Sequence, residues 1–358
     1  MNSFGKDYRT TIFGSSHGSG VGCVIEGVPA GTSLNLEAIQ GELDRRRPGQ
    51  SALTTQRKEG DRLEMQEGML EDRATGSPLV FWVKNRDVDS SSYETYRRIP
   101  RPGHADYPAR MKYAGYNDYR GGGQFSGRMT IPLVISGALA RQILSKGGIE
   151  FYAHAVQVGS VRLEETLSVE EIRAGVESSP VRCAEPETAR SMVQEVEAAR
   201  KAGDSVGGVI ECIVTGLPVG VGEPFYDSVE SEISHLCFAV PAVKGIEFGS
   251  GFAAAGMRGS EHNDPYAISE GRVITETNNA GGIQGGLTNG MPVVFRVAIK
   301  PTSSITKLQK SVDLDEMEPA ELRVTGRHDP CIVPRAVPVI ENAAAAPLLD
   351  LMIRAGFL

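Results

Sequence analysis

Two short patterns each occur twice in the 358-residue chain. "GSPLVFWV", Gly76 to Val83, resembles "GMPVVFRV", Gly290 to Val297, and "GVPAG", Gly27 to Gly31, resembles "GLPVG", Gly216 to Gly220. Each pair forms or follows a β-rich run, and the order is kept in both halves. The pattern predicts a single α+β domain over 1–358, built from a duplicated unit with pseudo-repeats at about 1–150 and 151–358. The copies are unevenly spaced, which loop insertions absorb; chance similarity of short strand-and-turn patterns is the competing reading.

Apolar spacing predicts four long helices. Leu36, Ile39 and Leu43 recur at helical spacing before "RRRPG", where Pro48 and Gly49 stop the helix and the arginines suit its C-terminus. Ile131, Val134, Ile135, Ala138, Leu139 and Leu144 form a wide stripe that closes at Gly147-Gly148. Met192, Val193, Val196 and Ala199 give a third helix, and "IENAAAAPLLDLMIRAG" a fourth, bent at Pro347. Runs such as "GVIECIVTG" and "PVVFRVAI" read as strands between glycine turns.

Charge narrows the function. A net charge of -8 argues against a nucleic-acid binder. Yet Arg45 to Arg128 carries 16 Lys/Arg against 11 Asp/Glu, a basic segment in an acidic chain. It reads as a local anion site or as a solvated charged face. No apolar run approaches the roughly 20 residues of a membrane span, and "MNSFGKDYRTTIFGSSHG" lacks a signal-peptide core, so a cytoplasmic protein without membrane contact is expected. Five scattered cysteines, never spaced as CxxC, suggest reduced thiols.

"YRGGGQFSGRMT", Tyr119 to Thr130, sets three glycines and a serine ahead of a helix. Unpaired helix N–H groups and bare glycine backbone suit a phosphate cradle; Ser126 capping the helix, with the glycines as a tight turn, is the alternative. The stretch is neither a P-loop nor a dinucleotide fingerprint. His17 in "GSSHGSGVG" and His104 in "RPGHADYP" lie in glycine loops without obvious packing roles, and His328 follows in "GRHDP". An imidazole, with an unperturbed pKa near ~6.5, exchanges protons at neutral pH. No HxxxH or HExxH spacing points to a metal. "AIKPTSSIT" joins Lys300 to hydroxyl residues, and "NNAGGIQGG" is a hinge or a close ligand approach. Together these loops suggest an enzyme that binds more than one anionic, phosphorylated ligand.

These motifs, with "DRRRPG" and "GRHDPCIVPRAVPVIE", resemble the chorismate synthase family along essentially the whole chain. The resemblance implies anti-1,4-elimination of phosphate from 5-enolpyruvylshikimate 3-phosphate to give chorismate, with reduced FMN required and no net redox change. It implies a β-α-β sandwich with long helices between antiparallel sheets, assembled as a homotetramer. Carried over, the flavin site uses Gln124, Phe125, Ser126, Pro241, Ala242, Gly285, Lys300, Pro301, Thr302, Ser303, Ser304 and Arg327. His17 and His104 match the two acid-base histidines, and Asp329 the acidic residue beside the flavin. Arg46 matches the position for NADP or the substrate phosphate, with Arg45 and Arg128 adding charge.

The chain departs from the family pattern at two places. Ala52 stands where many members have arginine, with Arg45, Arg47 or Arg57 as substitutes, and Gln124-Phe125-Ser126 replaces an Arg-Ser/Ala-Ser run. With no dinucleotide fingerprint or added reductase domain, externally supplied reduced flavin is expected. A non-catalytic flavin or nucleotide sensor would share the anion loops but would not need His17, His104 and Asp329 around one substrate.

Overall fold

Alternating burial along the β-rich runs sets the strand faces in a computed structural model, which describes residues 2–49, 60–86, 90–91, 93–326 and 328–358. Along Gly20–Glu26, Val21, Cys23 and Ile25 are buried; along Leu79–Lys84, Leu79, Phe81 and Val83 are buried. The two strands pair antiparallel with Cys23 opposite Phe81. They are the third and fourth strands of a five-stranded antiparallel sheet in the order Ser3–Phe4, Arg9–Gly14, Gly20–Glu26, Leu79–Lys84, Leu63–Glu67. A second antiparallel sheet runs Val243–Phe248, Val293–Ile299, Gly208–Thr215, Glu150–Val158, Val161–Arg162. In it Cys212 lies opposite Phe295. The strand leading into "GVPAG" and the strand leading into "GLPVG" thus pair in one register with "LVFWV" and "VVFRV".

Helices fill the space against both sheets. Leu36–Arg46 starts at Asn35, whose side chain accepts the Ala38 N–H, and buries Ile39, Leu43 and Arg46. A central helix, Thr130–Leu144, packs on Gly20–Glu26 and on the C-terminal helix, Val333–Arg354. The C-terminal helix in turn packs on Glu150–Val158 and Gly208–Thr215. Helices covered on both sides are buried almost all round rather than along one stripe. The C-terminal helix has the length and apolarity of a membrane span, but 94% of that window is buried inside the fold. Its Asp350 carboxylate accepts the N–H groups of Lys6, Asp7 and Tyr8 at 3.0, 2.7 and 2.7 Å, tying the two chain ends together.

Three helices fall where spacing predicts them. The fourth begins earlier, at Val333, and continues through Pro338 and Pro347. A further helix, Val229–Ala239, was not expected; Ser228 caps it and Val229, Ile233, Leu236 and Cys237 form its buried stripe. All five cysteines are free and buried.

The central and C-terminal helices cross at Gly137, where an added Cβ would lie 2.0 Å from the Asn342 carbonyl oxygen. Backbone cannot yield there as a side chain would. Gly137→Ala is therefore expected to destabilise the fold by about 1–3 kcal/mol or more, read as a lower melting temperature. An unchanged transition would mean that the helices separate freely.

Candidate active site

The triple glycine is a seat for side chains before it is a cradle for a ligand. Gly121, Gly122 and Gly123 have φ of 61°, 81° and 53°. Ser126 then caps a short turn, Gly127–Met129, accepting the Arg128 N–H at 3.3 Å, and the central helix starts only at Thr130. A Cβ on Gly121 would lie 2.1 Å from His17 Cδ2, and one on Gly122 would lie 3.4 Å from His104 Cε1. Adjacent glycines therefore bring together two histidines far apart in sequence.

His17 does have a packing role, contrary to the sequence expectation. It is buried, its Nδ1 lies 2.8 Å from Ser90 Oγ, and its ring meets Tyr93 edge-on at 5.1 Å. His104 is more open. Its Nδ1 lies 2.7 Å from Asp106 Oδ1, and Arg101 grips the same carboxylate through Nε and a terminal nitrogen, both at 2.8 Å. The Arg101 guanidinium is backed by the Tyr96 ring, 4.7 Å away.

Both histidine loops border a cavity of about 580 Å³. His104, Arg46, Arg128, Gln124, Phe125 and Ser126 line it from the first half of the chain. Pro241, Ala242, Lys300, Pro301, Thr302, Ser303, Ser304 and Asp329 line it from the second, with His328 among them. His17 stands just behind, its neighbour Ser16 reaching the lining. Gly285 sits in the hairpin Ile283–Gln284/Leu287–Thr288, outside this lining. Arg45 is also outside, paired with Glu42, Glu177 and Glu341 on another face of its helix. Arg327, Ala52 and Arg57 lie outside the described residues.

The cations at the cavity are held in place by buried acids. Asp61 takes Arg46 on Oδ2 at 2.7 Å and Arg128 on Oδ1 at 2.9 Å. Arg46 also donates to Thr130 Oγ1 at 3.0 Å. Burial lowers the Arg46 guanidinium to about 10, and Asp61 pulls in the other direction. Arg335 bonds Asp329 at 2.5 Å and reaches the Arg46 carbonyl at 3.3 Å. Arg101, Asp106, Asp61 and Arg335 were not assigned from the sequence. Asp106 sat inside the quoted "RPGHADY", two residues from its histidine, whereas Asp61 carries no local signal.

The "KPTSS" loop docks on the histidine loop. Lys300 Nζ donates to the Gly103 carbonyl at 3.0 Å and to Ser303 Oγ at 2.8 Å, and Ser303 donates to the same carbonyl at 2.8 Å. The preceding turn is strained: Ala242 has φ of 76°, and its carbonyl accepts the Lys300 N–H at 2.9 Å. Burial, and then the charge of Lys244, lower the Lys300 ammonium below the usual lysine range. The attraction for an anion is present below that lowered pKa and is lost as pH rises through it. Binding of a phosphate-bearing ligand is thus expected to weaken at a pH below the ~10.4 of a free lysine, and Lys300→Gln should remove this dependence. Calorimetric titration with inorganic phosphate across pH checks it; a flat profile in the parent chain would contradict it.

The chorismate synthase family model matches residues 8–353. The chain belongs to the chorismate synthase family. Chorismate synthase of Korarchaeum cryptofilum is similar at 49% identity over 351 residues, 98% of this chain and 97% of that protein. The Methanocella arvoryzae chorismate synthase is 49% identical over 357 residues, covering 100% and 95%. A crystal structure of a chorismate synthase superposes with a TM-score of 0.77 at 27% identity, covering 98% of this chain and 93% of that one. Membership makes the chain an enzyme, a carbon–oxygen lyase of aromatic biosynthesis. The family's known reaction converts 5-enolpyruvylshikimate 3-phosphate to chorismate, and its mixed helices and antiparallel sheets are those described above.

Proposed function

We propose that this chain catalyses the anti-1,4-elimination of phosphate from 5-enolpyruvylshikimate 3-phosphate, with reduced FMN held in the same cavity. The observation that carries the reading is the meeting, in one cavity, of His104, the Arg46–Arg128 pair and the "KPTSS" loop, drawn from both halves of the chain. The flavin fit is supported by an apolar wall of Phe125, Pro241, Ala242 and Ile332 beside the Lys300, Thr302, Ser303 and Ser304 group. A planar ring with a phosphate arm needs both, and the cavity volume lies within the roughly 300–1,000 Å³ of small-molecule sites. Gln124, Ser126 and Pro301 complete the proposed flavin set at this lining; Gly285, outside it, and Arg327 belong to the set only through the family resemblance.

Bound in this cavity, reduced flavin would supply electron density that helps expel the allylic phosphate and would recover it as the carbon-six proton passes to a base, giving no net redox change. Arg46 and Arg128 stabilise charge on the departing phosphate, already oriented by Asp61. His104 hands a proton to that phosphate, and His17 supports the flavin–substrate arrangement from behind the glycine turn. Asp329, which lines the cavity and is held by Arg335, would stand beside the flavin as the resemblance implies. Arg46 also occupies the family position associated with NADP. The wider proposal is an internally duplicated β-α-β sandwich working as a cytoplasmic homotetramer, fed reduced flavin by a separate donor.

Calorimetric titration with 5-enolpyruvylshikimate 3-phosphate and with FMN, each alone and then together, tests the shared cavity. The expected result is saturable binding of both, with each tightening the other by the same factor, since coupling between ligands is reciprocal. A chain that binds neither ligand, or binds them with no mutual effect, does not use one cavity for both.

A further inference from the structure

We propose that Asp106 is the positioning residue of His104, fixing which imidazole nitrogen serves the cavity. The proposal rests on reading His104 as the acid–base group. His104 Nδ1 lies 2.7 Å from Asp106 Oδ1. Arg101 donates its Nε to Oδ2 and a terminal nitrogen to Oδ1, each at 2.8 Å, and its backbone N–H also reaches Oδ2 at 3.0 Å. Burial would raise the Asp106 carboxyl, but hydrogen bonds from Arg101 and His104 outweigh it and hold the group well below the usual carboxylate range. An ionised carboxylate only accepts hydrogen bonds, so the proton between the two groups resides on Nδ1. Nε2 is left as the nitrogen that gives or takes a proton.

Arg101 leaves that assignment intact. Its terminal nitrogen is 3.1 Å from Nδ1 and 3.3 Å from Nε2. An atom so nearly equidistant from both nitrogens cannot lie in the ring plane without striking the carbon between them, so it lies over the face of the imidazole. Tyr96 thus backs the Arg101 guanidinium, one terminal nitrogen of which covers the imidazole, and the Asp106 carboxylate bonds both groups. Ring plane and tautomer are both set before any substrate arrives.

Asp106→Asn tests this. Arg101 needs acceptors on the carboxylate, so the single amide oxygen turns toward it and the NH2 group faces Nδ1, reversing the tautomer. Turnover is expected to fall about 10²–10⁴-fold with KM changed less than about threefold and FMN affinity retained, and Asp106→Glu should recover part of the rate. Nitrogen NMR of 15N-histidine-labelled protein, with His104→Gln giving the assignment, should find Nδ1 protonated in the parent chain and Nε2 protonated in Asp106→Asn. An unprotonated Nδ1 in the parent chain overturns the proposal even if the variant does not fold. So does Asp106→Asn turnover within threefold of the parent, or a loss that only follows the folded fraction. Full turnover in His104→Ala would instead defeat the acid–base reading while leaving the tautomer result standing.

Discussion

His104→Ala lowers turnover by about 10²–10⁴-fold while the melting temperature stays near that of the parent chain. The size follows from removing a proton donor at the atom where charge develops. The retained fold follows from the ring's place at the cavity wall, where Asp106 keeps its three bonds from Arg101 without it. Steady-state rates beside a thermal melt read both halves of the expectation. His17→Ala differs, because that ring is buried against Tyr93 and Gly121; it should lower the melting temperature as well as the rate. Full turnover in His104→Ala would remove the imidazole from the chemistry.

Gly121→Ala is expected to cost about 10²-fold in turnover although it alters no reactive group. The added methyl would lie 2.1 Å from His17 Cδ2, and φ of 61° is unfavourable for alanine, so the ring or the turn must move. Displacement of about 1 Å at a catalytic constellation is worth that much. Gly127→Ala, six residues on with nothing near its Cβ, is the control and should change little. Equal rates in the two variants would mean that the triple glycine does not seat His17.

How much of this was legible in the sequence varied with how local the cause was. The three helices read from spacing and the paired runs "LVFWV" and "VVFRV" depend on periodicity within a dozen residues, and they lie where that periodicity puts them. Val229–Ala239 had the same kind of signal, a serine cap followed by a four-residue stripe, and was there to be read. Asp61, which joins Arg46 to Arg128, was not: a lone aspartate after a basic turn looks like any solvated acid until the fold buries it. The glycines of "YRGGGQFSGR" announced backbone of unusual freedom, but not that an imidazole occupies the vacated space. Arg45 and Arg46 are neighbours with opposite fates, since a helix turns about 100° per residue and sends one to the cavity and the other to Glu42 and Glu341.

Anaerobic incubation of the pure protein with 5-enolpyruvylshikimate 3-phosphate, while chorismate and phosphate are followed together, tests the proposed elimination. With chemically reduced FMN the two products should appear in equal amounts over many turnovers without consumption of flavin, and with oxidised FMN neither should appear. Equal turnover in the absence of any flavin, or phosphate released without chorismate, would contradict the proposed elimination.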